Sequence, residues 1–225
     1  MLQELQRMAE LYSNLKDPKS LGIVNLHIGG RSYTLRLGPD SAQVAEGVTP
    51  AALVDVAMSE ETFKAICNGT WTALTAGGRA SWSQSAPLDI RLPPGQRLTP
   101  ELMATLYDLS MHFLNLNYPN VYRFGPGHTR QIHGGHAAAV AYGHGVRFAY
   151  YNIREGEQIN DEDDRNPWDQ VFACIGGRGT AVIDGIEVDL QKGVAVHVPP
   201  NKTHVVRASR DEVLELFWLA YGKDA

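Results

Sequence analysis

Cysteine is scarce, with only two in 225 residues, and Cys67 and Cys174 both sit in apolar surroundings. That excludes a disulfide-stapled scaffold and supplies no Cys–His signature for nucleophilic catalysis. Basic residues are outnumbered, 20 Lys and Arg against 25 Asp and Glu, for a formal net charge of −5. No Lys/Arg-rich tract is present either, so nucleic acid is not an expected partner, because phosphate binding needs a basic patch. No apolar run reaches the length of a membrane span, and no secretion signal is apparent. Internal repeats and low-complexity tracts are missing too. These absences predict a cytoplasmic protein in a reducing environment.

What the chain does carry is enough apolar material for two cores. Hydrophobic residues make up 44% and charged residues 20%, the balance of a globular protein at a length that leans towards two domains. Leu2, Leu5, Met8, Leu11 and Leu15 recur three or four apart, the stripe of a short helix that Asp17-Pro18 would end. Val24, Leu26 and Ile28 lead into Gly29-Gly30 and out through Tyr33, Leu35 and Leu37, a hairpin around a two-residue turn. Residues 51–58 are a further apolar run. Ser59 follows as an N-cap, with Glu60 and Glu61 at the positive end of a helix that buries Phe63, Ile66 and Cys67 and stops at Asn68-Gly69.

Pro93-Pro94-Gly95 predicts a domain boundary. Thr99-Pro100-Glu101 then opens a capped helix with Leu102, Leu106, Leu109, Phe113 and Leu116 on its apolar side, ending before Pro119. The expected organisation is an α+β domain over residues 1–97, built from an antiparallel sheet with helices. A connecting helix follows over 98–120, and an all-β barrel over 121–225.

In the C-terminal part, Val146–Ile153 is rich in aromatic and β-branched residues, and Asp184-Gly185 marks a hairpin. Val194, Val196 and Val198 share one face of a strand that runs through Pro199-Pro200-Asn201 and returns with His204 and Val206 on a common face. Closing such strands into a barrel removes exposed edges and encloses room for one ligand. Trp168, Phe172, Val206, Phe217 and Trp218 are candidate walls, and Arg130 and Arg147 candidate anchors for an acidic head group. His128, His133 and His136 cluster in sequence, and His197 faces away from its valine neighbours. Each of these four reads as a hydrogen-bonded or surface imidazole.

Two spacings resemble the cupin superfamily, whose motifs are G-x5-H-x-H-x3,4-E-x6-G and G-x5-P-x-G-x2-H-x3-N. Gly193, Pro199 and His204 fall on the second, with Asn201 for the turn glycine and Ala208 for the final Asn. The first survives as scaffold only. Counting from Gly156, its two histidine positions fall on Glu162 and Asp164; counting back from Gly177, its glutamate falls on Gln170. Kept on the Gln170 anchor, the second histidine position becomes Arg165 or Asn166.

The resemblance implies a metal held by His204, Gln170, Asp164 and Glu162, an oxygen-rich set suited to a hard divalent cation. The residues themselves also allow residues 161–165 to be a solvated acidic loop with no metal bound. The resemblance places Trp168, Gln170, Phe172, His204, Val206 and Trp218 around a ligand pocket, with His204 as the catalytic candidate. It also implies pairing into a homodimer.

The N-terminal order of hairpin, strand, Val56-Ala-Met58-Ser59-Glu-Glu-Thr-Phe63 helix and Gly69 stop resembles the sterol carrier protein (lipid-transfer) family over roughly residues 20–93. That resemblance implies an apolar cavity for an acyl chain or sterol. Two functions follow as expectations. One is binding of a small hydrophobic or amphipathic molecule. The other is a cupin enzyme, an oxygenase, isomerase, cyclase or lyase, acting on a small apolar metabolite.

Overall fold

The computed structural model describes residues 1–15, 22–79, 81, 83–114, 121–143, 145–223 and 225. It divides into two compact units, Met1–Gly77 with Ser83–Tyr122, and Gly78–Trp82 with Arg123–Ala225.

The first unit packs helices on one face of a five-stranded sheet. α1 (Leu2–Ser13) buries Leu5, Met8, Ala9 and Tyr12. Its inward stripe is therefore centred on Tyr12, and Leu11 is only partly buried. The expected stop at Asp17-Pro18 lies outside the described residues. β1 (Gly22–Ile28) and β2 (Arg31–Leu37) form the hairpin about Gly29 and Gly30, both with positive φ as a tight two-residue turn of this kind demands. β3 (Ala42–Glu46), β4 (Val54–Met58) and β5 (Leu88–Arg91) complete a sheet of order β3-β2-β1-β4-β5.

This sheet is mixed, which corrects the expectation of an antiparallel one. β4 lies parallel to β1, with Val24 opposite Val54 and Ile28 opposite Met58. The chain leaves β1 through two antiparallel strands and then crosses back, so β4 enters from the end at which β1 began. Val24, Leu26, Ile28, Tyr33, Leu35, Val54 and Val56 point into one core at 1% exposure or less.

α2 (Glu60–Cys67) starts where Ser59 Oγ accepts the Thr62 N–H at 3.1 Å, and it buries Phe63 and Ile66. The short α3 (Ala73–Gly77) follows. α4 (Pro100–Asp108) is capped by Thr99 and passes into a π-helical turn, Leu109–Phe113. The helix expected to connect the two halves buries Leu102, Leu106, Leu109 and Phe113 in this same core. Apolar area decides where it belongs, and Pro93-Pro94-Gly95 lies within the first unit. The far end of that expected helix, Leu116 to Pro119, lies outside the described residues.

The second unit is two facing sheets. β6 (Arg130–Ile132), β7 (Gly135–Gly143), β8 (Val146–Ile153), β10 (Asp169–Gly176), β13 (Ala195–Val198) and β15 (Leu214–Tyr221) form one, in the order β13-β10-β15-β8-β7-β6. β9 (Gln158–Ile159), β11 (Arg178–Ile183), β12 (Ile186–Gln191) and β14 (His204–Ala208) form the other, in the order β12-β11-β14-β9. Tyr151, Ile153, Phe172, Leu216 and Trp218 from the large sheet share one core with Ile159, Ala181, Leu190 and Val206 from the small one. β11 and β12 turn at Asp184 and Gly185, φ 51° and 82°. β7 carries an extra residue, so its register against β8 shifts between Ala139 and Ala141.

Among the described residues, no helix is long and apolar enough to cross a membrane.

Candidate functional site

Strand alternation sends every second side chain of the large sheet inwards, and pairing stacks them in rows. Gln170 pairs with Val198 and Ala220, Ala220 with Arg147, and Arg147 with Tyr142. One row of the inner face therefore reads Val198, Gln170, Ala220, Arg147, Tyr142. The next row reads Phe172, Trp218, Ala149, Ala139. From the facing sheet, β14 brings His204 and Val206.

The sequence-derived pocket residues Gln170, Phe172, His204, Val206 and Trp218 are brought together here. Gln170 is 1% exposed and His204 fully buried. The rings of Phe172 and His204 lie 5.9 Å apart. Trp168 is partly buried against the same core.

Two buried polar groups in an apolar interior must satisfy each other, and here they do so in a single orientation. The Trp218 indole N–H, which can only donate, reaches Gln170 Oε1 at 2.9 Å. Asn166 Nδ2 donates to the same oxygen at 3.4 Å. The Gln170 Nε2 amide therefore faces His204 Nε2, 3.2 Å away. On the far side of the ring, His204 Nδ1 lies 3.1 Å from the Lys202 carbonyl, an acceptor only. The tautomer follows: Nδ1 carries the proton and donates, and Nε2 accepts from Gln170. Burial pushes the His204 pKa below its ordinary value, with the Lys202 carbonyl and the Asp164 charge opposing. His204 is thus a neutral imidazole with both nitrogens engaged.

The metal set does not assemble. Glu162 is exposed in the loop between β9 and β10. Asp164 Oδ2 accepts the backbone N–H of Asp161 at 3.1 Å and serves a local turn. The loop residue that reaches the network is Asn166, a neutral amide, while Arg165 donates to the Asn201 carbonyl at 3.0 Å. Among the described residues, no three His, Cys, Asp or Glu side chains are placed to hold a metal ion. His204 offers no free lone pair and Gln170 turns its donor end towards it, so the residues do not fit the metal that the family motif implies.

Three of the other candidate histidines serve a turn or a local pair. His133, φ 53°, and Gly134 form the β6–β7 turn. His136 Nδ1 meets Glu157 at 3.0 Å, and His197 Nε2 meets Asp169 at 2.7 Å on the outer face. Asn201, φ 61°, takes the left-handed position its motif gives to glycine.

Arg147 occupies the inner face beside the network. Its guanidinium lies 4.1 Å from the Trp168 ring centroid and 5.7 Å from that of Tyr142. Tyr142 and Tyr151 both approach Trp218, with centroids 6.4 and 6.3 Å apart. Tyr142 and Tyr151 were not foreseen from sequence. Only the alternation of β8 from Ala149 would have placed Tyr151 inside, and nothing local signals the extra residue in β7 that turns Tyr142 inwards.

Among curated proteins, none matches this chain. Several solved structures are similar to part of this chain. A protein from Photorhabdus luminescens is 13% identical at a TM-score of 0.41, over 46% of this chain and 88% of its own. A cupin 2 conserved barrel domain protein from Salinispora arenicola is 17% identical at 0.39, over 46% and 91%. An RmlC-like cupin from Shewanella frigidimarina is 16% identical at 0.36, over 41% and 79%. Residues 149–220 match the Cupin domain family.

Proposed function

We propose that this chain binds a small hydrophobic or amphipathic molecule, and that its cupin domain works without a metal. The observation that carries the reading is the closed Trp218–Gln170–His204–Lys202 chain of hydrogen bonds. It consumes the one imidazole that the motif preserves and leaves an interior lined by aromatic and aliphatic side chains. Oxygenase, isomerase, cyclase or lyase chemistry through His204 would need a free Nε2, as a metal ligand or as a base.

The first unit is read as a second apolar-binding module of sterol carrier type. Support comes from the helices gathered on one face of the sheet and from the Ser59-capped helix that follows β4 directly. The chain is further read as cytoplasmic and as a homodimer. Phe124, half exposed over Phe217 and Tyr150, gives the outer face of the large sheet an apolar element a second copy could cover.

The test is a titration of the purified protein with a fluorescent apolar probe, alongside elemental analysis of the same sample. Saturable binding with only traces of metal is the expected result. Near-stoichiometric metal without saturable binding overturns the reading. Sedimentation velocity reports the assembly separately.

A further inference from the structure

The ligand-binding reading leaves the chemistry of the ligand open, and Arg147 narrows it. Its Nε is buried without a hydrogen-bond acceptor, and no carboxylate among the described residues pairs with it. Trp168 and Tyr142 attract the cation through their faces but cannot accept its in-plane N–H groups. A guanidinium drawn partly out of water needs an acceptor, and the described chain provides none. With rings against its plane, only its edge is free, and an edge-on guanidinium matches the two oxygens of a carboxylate. One cation also suits a monoanion better than a phosphate dianion.

The surroundings specify the rest of the ligand. The nearest polar groups, Gln170 in the row and His204 on the facing sheet, are uncharged and engaged with each other and with Trp218, so they offer no second charged anchor. Beyond them these two rows of the inner face carry only aromatic side chains, alanine and Val198. We propose that the cupin domain binds a small apolar carboxylic acid as its carboxylate, with Arg147 as the single charged anchor and the apolar body against Trp168 and Tyr142. This rests on the ligand-binding reading above and adds to it the charge, the anchor and the position.

The experiment compares decanoate with decanol, which share a chain and differ in the head group, on the full-length protein and its R147M and R147K variants. Isothermal titration gives the affinities, and near-ultraviolet circular dichroism verifies that each variant is folded. The wild type is expected to prefer decanoate by about tenfold or more. R147M should lose that preference while keeping its decanol affinity, and R147K should retain part of it, because it keeps the charge but not the fork or the stacking. Equal binding of acid and alcohol by the wild type, or a preference that survives in R147M, overturns the assignment to Arg147 and leaves the ligand-binding reading standing. Binding of neither molecule overturns both.

Discussion

Trp218 and Gln170 are joined by a hydrogen bond that can run in only one direction, from the indole N–H to Gln170 Oε1 at 2.9 Å. That one-way donor fixes the amide, the amide fixes the imidazole, and the imidazole fixes its own proton. Replacing Gln170 by Leu keeps the volume and leaves both the Trp218 N–H and His204 Nε2 buried without partners. A loss of about 3 kcal/mol is expected, read from urea denaturation midpoints. A loss below about 0.5 kcal/mol, typical of an uninvolved site, would show that water already serves those groups.

His204 makes a signed prediction about pH. Its folded pKa is held below the ordinary 6.5 by burial. The unfolded chain therefore takes up this proton first as pH falls. Its contribution to stability is complete above about pH 6.5 and is lost as the pH falls below that towards the folded value. In Q170E the carboxylate keeps the Trp218 bond and favours a proton on Nε2, which raises the folded pKa. Stability from the pair should then be present at low pH and fade as pH rises through the new value. Opposite slopes for wild type and Q170E between about pH 5 and pH 8 are the expected outcome, with ring-proton NMR assigning the titration to His204.

Two glycines separate strain from sterics. At Gly185, φ 82°, an added Cβ meets open space, so G185A should cost about 1 kcal/mol for the backbone conformation alone. At Gly177, φ 70°, the Cβ would lie 1.7 Å from the Val213 carbonyl oxygen. Backbone cannot step aside as a side-chain tip can, and G177A should cost more than about 4 kcal/mol or fail to fold. Thermal melts of the two variants side by side check the ranking.

The two thiols should be slow. Burial pushes Cys67 up to about 11 and raises Cys174 above its ordinary value. At about pH 8, Ellman's reagent should react promptly with both only after denaturant is added. Rapid reaction of the native protein would show that one thiol is activated.

Much of the local structure could be read from the chain because the signals were local. Gly29-Gly30, Asp184-Gly185, Ser59 and Thr99 act within four residues of themselves, and each turn or cap forms where its residue type requires it. The mixed first sheet was not legible, since alternation in β4 says nothing about which strand it joins or in which direction. The placement of α4 was hidden for a related reason: an apolar stripe at 102, 106, 109 and 113 announces burial but not the partner core. At the site, spacing alone brought out Gln170 and His204 as neighbours. It could not show that Trp218, far along the chain, would turn the amide, or that Asn166 rather than Glu162 or Asp164 would reach it.

The extra residue in β7 has an implication for descent as well as for shape. Before the register shift, Ala139 faces Ala149; after it, Tyr142 faces Arg147. A strand one residue shorter here would still set the tyrosine opposite Arg147, because regular pairing would simply run on from Ala139 and Ala149. The bulge therefore absorbs an insertion in mid-strand and leaves the hairpin end, with its ring and its arginine, in phase with the rest of the sheet. Relatives that keep Tyr142 and Arg147 but lose one residue between positions 139 and 141 would show a gap in an alignment and yet present the same pair to whatever enters the barrel.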